Sequence, residues 1–208
     1  MRQGAGVASG PGSSYLSSMF IQTEQTPNPE VLKFLPGRDV LGAGQTREFN
    51  SLDEAAASPL ALGIFEAAGV KRVFFGSDFV TVTKTDSLDW RQLKAPILAA
   101  IMEHFTSGAP VLVGEAAPPA PVSEHAYEGE TAQIVAEIKD LLDTRIRPAV
   151  AQDGGDIVFD RFDDDGTVWL HMRGACSGCP SSSATLKAGV ENMLKHYVPE
   201  VTRVEQTL

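Results

Sequence analysis

The sequence predicts an α+β protein of two small domains joined by a flexible Pro/Ala-rich linker, and three patterns carry that expectation. Short strand-like runs and helix-period runs are intermixed between Met19 and Gly108, as in a complete mixed domain. Composition then changes: Ala109 to Glu130 holds Pro110, Pro118, Pro119 and Pro121 among small and acidic residues. Beyond it, periods of helix, strand, strand, helix and strand follow one another. They predict an α-β-β-α-β unit, a small mixed sheet with helices on one face. The divisions are 1–18, 19–108, 109–130 and 131–208.

Residues 1–18 are rich in Gly and Ser, carry one charge at Arg2 and lack the apolar stretch of a signal peptide. They read as a disordered N-terminal extension, more simply an over-extended start than a functional arm. A mitochondrial transit peptide would carry more Arg. In the first domain, Phe20 to Thr23 and Val31 to Leu35 read as strands around Thr26-Pro27-Asn28-Pro29, whose prolines fix φ and impose a turn. Phe49-Asn50-Ser51 leads through Asp53 to Ala57 into Ser58-Pro59, a helix start. That helix carries Leu60, Leu62, Ile64 and Phe65 and ends at Gly69. Lys71 to Phe75 and Phe79 to Lys84 form a hairpin across Gly76-Ser77-Asp78. A further helix carries Leu93, Ile97, Leu98, Ile101, Met102 and Phe105 and closes at Gly108. Pro96 predicts that its regular part begins nearby, with Trp90 to Lys94 as a preceding turn.

The second domain opens with a helix from about Thr131, carrying Ile134, Val135, Ile138, Leu141, Leu142 and Ile146 and stopped by Pro148. Gln152-Asp153-Gly154-Gly155-Asp156 turns the chain, the glycines permitting positive φ and the aspartates capping the turn. Ile157 to Phe162 and Thr167 to Arg173 pair as a hairpin over Asp163-Asp164-Asp165-Gly166. That turn is no calcium loop, because its twelfth position is Met172 where a Glu is required. Leu186, Val190, Met193, Leu194 and Tyr197 mark a last helix, Pro199 ends it, and Val201 to Val204 add a third strand.

Charge and composition exclude several functions. A net charge of -10, from 27 acidic and 17 basic residues, argues against nucleic acid or an anionic membrane as the main partner. No apolar run approaches the roughly 20 residues needed to span a bilayer, so a soluble protein is expected. Two cysteines in so long a chain are no secreted disulfide framework. A reducing compartment is expected: the cytoplasm, or the mitochondrial matrix in a eukaryote.

Those two cysteines, Cys176 and Cys179, lie in Gly174-Ala175-Cys176-Ser177-Gly178-Cys179-Pro180, between a strand and a helix start. There the helix dipole and backbone N–H groups are expected to face the sulfurs and favour thiolate at a surface. Iron–sulfur clusters usually take four protein ligands, predominantly Cys. One chain supplies two, and a symmetric dimer with facing loops supplies four. Two other uses of the pair remain open, a redox dithiol and a zinc held between two chains. His171 reads as facing solvent or packing beside Trp169, and His104, His125 and His196 as ordinary positions.

The second domain resembles the NifU C-terminal domain of Nfu-type iron–sulfur cluster carriers, in Asp153-Gly154-Gly155-Asp156 and in Gly174 to Ser182. The first resembles the Nfu N-terminal domain, in Gln25-Thr26-Pro27-Asn28-Pro29 and Lys33-Phe34-Leu35-Pro36-Gly37. The resemblance spans about Met19 to Val204. It implies a non-enzymatic assembly protein that holds a [4Fe-4S] cluster between two subunits through Cys176 and Cys179 of each. It further implies an upstream scaffold as cluster donor and apo iron–sulfur proteins as recipients.

Overall fold

The computed structural model describes residues 20–114, 126–177 and 180–207, without the side chains of 180–183. The first domain is built on five antiparallel strands: β1 (Gln22–Gln25), β2 (Val31–Leu35), β3 (Arg47–Phe49), β4 (Val70–Phe75) and β5 (Val80–Lys84). They lie in the spatial order β1-β2-β5-β4-β3. Three helices cover one face: α1 (Leu52–Ala55), α2 (Pro59–Phe65) and α3 (Trp90–Ser107). Ser51 and Ser58 cap the first two, their side chains accepting from the N–H of Glu54 and Ala61. Strand alternation sends Phe34, Phe49, Phe75, Val80 and Val82 inward against Leu60, Ile64, Ile97 and Ile101, all completely buried. Each such side chain contributes about 1.5–3 kcal/mol through its removal from water.

Three details of this domain differ from the sequence reading. The first strand starts two residues later than Phe20, which is exposed. β3 went unread, three residues being too few to show a period. The helix α3 runs unbroken through Pro96 from an Asp89 cap to Gly108, which takes φ 70°. Pro96 is tolerated because it lies on the exposed face, where water can serve the Gln92 carbonyl that loses its helical donor.

The second domain begins with α4 (Gly129–Leu141), a π-helical segment (Leu142–Ile146) and α5 (Arg147–Gln152). The helix therefore does not stop at Pro148. The wider π turn precedes it, so Pro148 stands in the first turn of a new helical segment, where no N–H is required. Then come β6 (Gly155–Phe162), β7 (Thr167–Gly174), α6 (Pro180–Tyr197) and β8 (Arg203–Thr207). β6 pairs with β7 antiparallel and β7 with β8 parallel, a mixed sheet. β8 starts two residues after Val201, because the N–H groups of Thr202 and Arg203 first turn onto the Gly166 carbonyl. Ile138, Leu142, Ile157, Leu170, Leu194 and Val204 form the core.

Of the proline-rich segment, the part up to Gly114 is fastened to the first domain. Val113 N–H donates to the Ala57 carbonyl at 2.9 Å and Ser58 Oγ to the Val111 carbonyl at 2.5 Å. Tyr127 belongs to the second domain, its hydroxyl accepting from Phe162 N–H at 2.7 Å. Pro118, Pro119, Pro121, His125 and the extension 1–18 lie outside the described residues.

Candidate metal centre at the cysteine loop

β7 ends at Gly174, where φ of 61° turns the chain out of the sheet. The loop then folds back on the diglycine turn. Ala175 N–H donates to the Gly154 carbonyl at 3.2 Å, Cys176 N–H to that of Arg173 at 3.3 Å, and Ser177 N–H to that of Gly174 at 3.2 Å. Gly154 supplies positive φ, 83°, whereas Gly155 supplies space. A Cβ on Gly155 would stand 2.4 Å from Cys176 Sγ and 2.7 Å from the Arg173 carbonyl.

Cys176 is 5% exposed and packs in the core of the second domain. The surface thiolate expected from the sequence is corrected here. Burial pushes the Cys176 thiol up to about 12, and the charges of Asp153 and Asp156 push in the same direction. A helix dipole is a smaller influence than the removal of water. Cys179 and Gly178 lie outside the described residues.

The first domain rests on the turns beside Cys176. A single transverse row of cross-strand neighbours, Glu24, Lys33, Thr81, Phe74 and Glu48, runs across the outer face of the first sheet. From Lys33 to Glu48 it lies on the second domain. Lys33 Nζ donates to the carbonyls of Ala151 and Gln152 at 3.2 and 3.0 Å, and Thr81 Oγ1 to that of Gly154 at 3.1 Å. Phe74 abuts Gly174, and Glu48 Oε1 accepts from Gly174 N–H at 2.9 Å. Beside the row, Arg72 donates to the Ser177 hydroxyl and Asn28 Nδ2 to the Ser177 carbonyl at 3.5 Å. Lys33 and Thr81 are buried by these contacts, 6% and 1% exposed.

The sequence reading missed this row. Its signal is the polar alternate in two apolar runs, Lys33 within Val31 to Leu35 and Thr81 within Val80 to Val82. A polar alternate ordinarily marks a face turned to water.

Asp156 supports the arrangement from below. It receives Arg147 Nε and Nη2 at 2.7 and 3.0 Å, the adjacent Ile157 N–H at 2.9 Å, and Thr46 Oγ1 of the first domain at 2.8 Å. The carboxylate is nearly inaccessible, and through its hydrogen bonds Arg147 holds its proton more tightly than usual. His171 is half-buried, and desolvation, assisted by Arg173, lowers its pKa. Among the described residues no three His, Cys, Asp or Glu side chains converge as a metal site.

Two family descriptions match in succession, "Scaffold protein Nfu/NifU N terminal" over residues 21–108 and "NifU-like domain" over residues 138–205. A Drosophila virilis protein described as "NFU1 iron-sulfur cluster scaffold homolog, mitochondrial" is 52% identical over 206 residues, covering 99% of this chain and 67% of that protein. The chain belongs to the Nfu/NifU-like family. An Arabidopsis thaliana member, "NifU-like protein 4, mitochondrial", is 53% identical over 190 residues, 91% of this chain and 66% of that one. The chain thus spans about two thirds of the length of these relatives. The solution structure of a NifU-like protein from Saccharomyces cerevisiae shares 26% identity, covers 54% of this chain and all of its own, and has a TM-score of 0.44. Both cysteines fall inside the NifU-like match, and the Nfu N-terminal match ends at Gly108, the residue that closes α3.

Proposed function

We propose that this chain is an iron–sulfur cluster scaffold that binds a [4Fe-4S] cluster between two subunits and passes it to apo-proteins. One observation carries the reading: the only two cysteines of the chain stand together in the strand-to-helix turn of the NifU-like domain. The cluster is cargo. Cys176 and Cys179 of each subunit provide four thiolates across a two-fold axis, the number a four-iron cluster takes. Release is ligand exchange: each Fe–S(Cys) bond to the scaffold breaks as one forms to a recipient's thiolate, with no electron transferred. The thiol proton of the recipient passes to the departing Cys. No catalytic group is needed, so the protein is read as a carrier and not an enzyme. An upstream scaffold supplies the cluster.

The location proposed is a reducing compartment, the mitochondrial matrix or its cytoplasmic equivalent. The relatives named above are described as mitochondrial.

The test is anaerobic reconstitution of the full chain with iron and sulfide, with iron and acid-labile sulfide measured per chain. Cys176→Ala and Cys179→Ala are each expected to abolish uptake. Undiminished uptake by either variant would refute the assignment of ligands, and zinc held in preference to iron would favour a structural metal.

A further inference from the structure

We propose that the free edge of β1 is a docking site for an extended, acidic segment of a partner protein, which adds as a sixth strand and seats alternate side chains in the groove between β1 and α3. The site involves neither cysteine. It therefore goes beyond the cluster reading and stands or falls apart from it.

The two edges of the second sheet are blunted from within the chain. Glu191 Oε2 takes the N–H of Val204 on β8 at 3.0 Å, and the Tyr127 hydroxyl takes that of Phe162 on β6 at 2.7 Å. β1 has no such cover: among the described residues its backbone bonds to β2 alone. An uncovered edge offers its outward N–H and C=O groups to an incoming strand.

Beside this edge the first domain leaves a groove of about 430 Å³. Thr23 and Gln25 line it because they stand opposite Phe34 and Leu32, core residues of β2, and cross-strand neighbours share a face. Trp90 and Lys94, one turn apart on α3, form the other wall. The end of the groove is fixed. Trp90 Nε1 donates to the Pro29 carbonyl at 3.0 Å, and Thr26 Oγ1 stands 2.8 and 3.0 Å from the carbonyls of Asn28 and Val31. The stretch Gln25-Thr26-Pro27-Asn28-Pro29 is thereby held as a preformed wall, which loses little freedom when a segment binds.

The lining defines the occupant. Leu32 and the Trp90 ring are apolar, and Lys94, the only charged lining residue among those described, is exposed and makes no ion pair. A fitting strand presents, two positions apart on its helix side, an apolar side chain to Leu32 and Trp90 and a carboxylate to Lys94. A second copy of β1 does not meet this requirement. Its helix-side residues are Thr23 and Gln25, neither apolar nor acidic.

The experiment titrates the isotope-labelled full chain with the capped heptapeptide Thr-Val-Thr-Glu-Thr-Val-Thr and follows backbone amide resonances. Saturable binding is expected below about 1 mM, with shifts concentrated at Gln22–Gln25, Trp90 and Lys94. N-methylation of every second amide gives two peptides, one with its methyls toward β1 and one with them away. The first is expected to lose binding and the second to keep it. Lys94→Glu changes an exposed residue and leaves the core intact. It is expected to weaken the Glu peptide about tenfold and to strengthen the peptide carrying Lys in place of Glu by a similar factor. Absence of binding below about 1 mM, equal binding of the two N-methylated peptides, or indifference to the charge exchange would each overturn the proposal. Shifts at Gln22–Gln25 that grow with protein concentration alone would make a second copy the occupant, and would overturn it as well.

Discussion

At the scale of single residues, the site depends on an absent side chain. Gly155→Ala puts a methyl within 2.4 Å of Cys176 Sγ, between backbone groups that cannot give way. We expect a loss of about 1–3 kcal/mol, read from the urea midpoint. The diglycine was legible in the sequence as a turn, but only Gly154 has the positive φ that a turn explains. Gly155 is there for close approach, which depends on a partner 21 positions away in the chain and leaves no local trace. His104 was likewise unreadable. It falls on the buried face of α3, 6% exposed, with Nε2 lacking a hydrogen-bond partner among the described residues. Burial lowers its pKa below the ordinary 6.5, so the unfolded chain binds the proton that the folded chain refuses. The stability that neutral His104 contributes is full above about pH 6.5 and is lost as pH falls below it. Urea midpoints measured from roughly pH 7 to pH 5 should decline, and His104→Leu should flatten that slope. An unchanged slope would place the acid sensitivity elsewhere.

At the scale of elements, period and punctuation located most helices and strands, and proline misplaced two boundaries. Pro96 and Pro148 were both read as helix limits, yet one is carried on the solvent face of α3 and the other follows a π segment. Sequence shows that a proline removes a donor; it does not show whether water or a widened turn absorbs the loss. Pro96→Ala restores an N–H opposite the Gln92 carbonyl and should raise stability by about 1–3 kcal/mol, seen as a higher thermal midpoint. The junction of α5 with β6 predicts the reverse. Arg147→Ala strands the buried Asp156 carboxylate and should cost about 3 kcal/mol in the same assay. Because Asp156 also receives Thr46, the variant should loosen the contact between the domains as well.

At the scale of the whole molecule, the two domains were legible, and their mutual arrangement was not. A polar row on a sheet reads as a wet surface whether it meets water or the carbonyls of another domain. Packing in the second domain's own core made a loop with the local marks of an activated thiolate into one whose first cysteine is buried. Family membership points to an iron–sulfur cluster scaffold, and the structure adds that the first domain rests on the turns beside Cys176. The most direct measurement is the native mass of the chain after anaerobic reconstitution with iron and sulfide, before and after chelation. The account predicts a dimer carrying one four-iron cluster that reverts to monomer when the iron is removed. A monomer with bare or disulfide-bonded cysteines would contradict it.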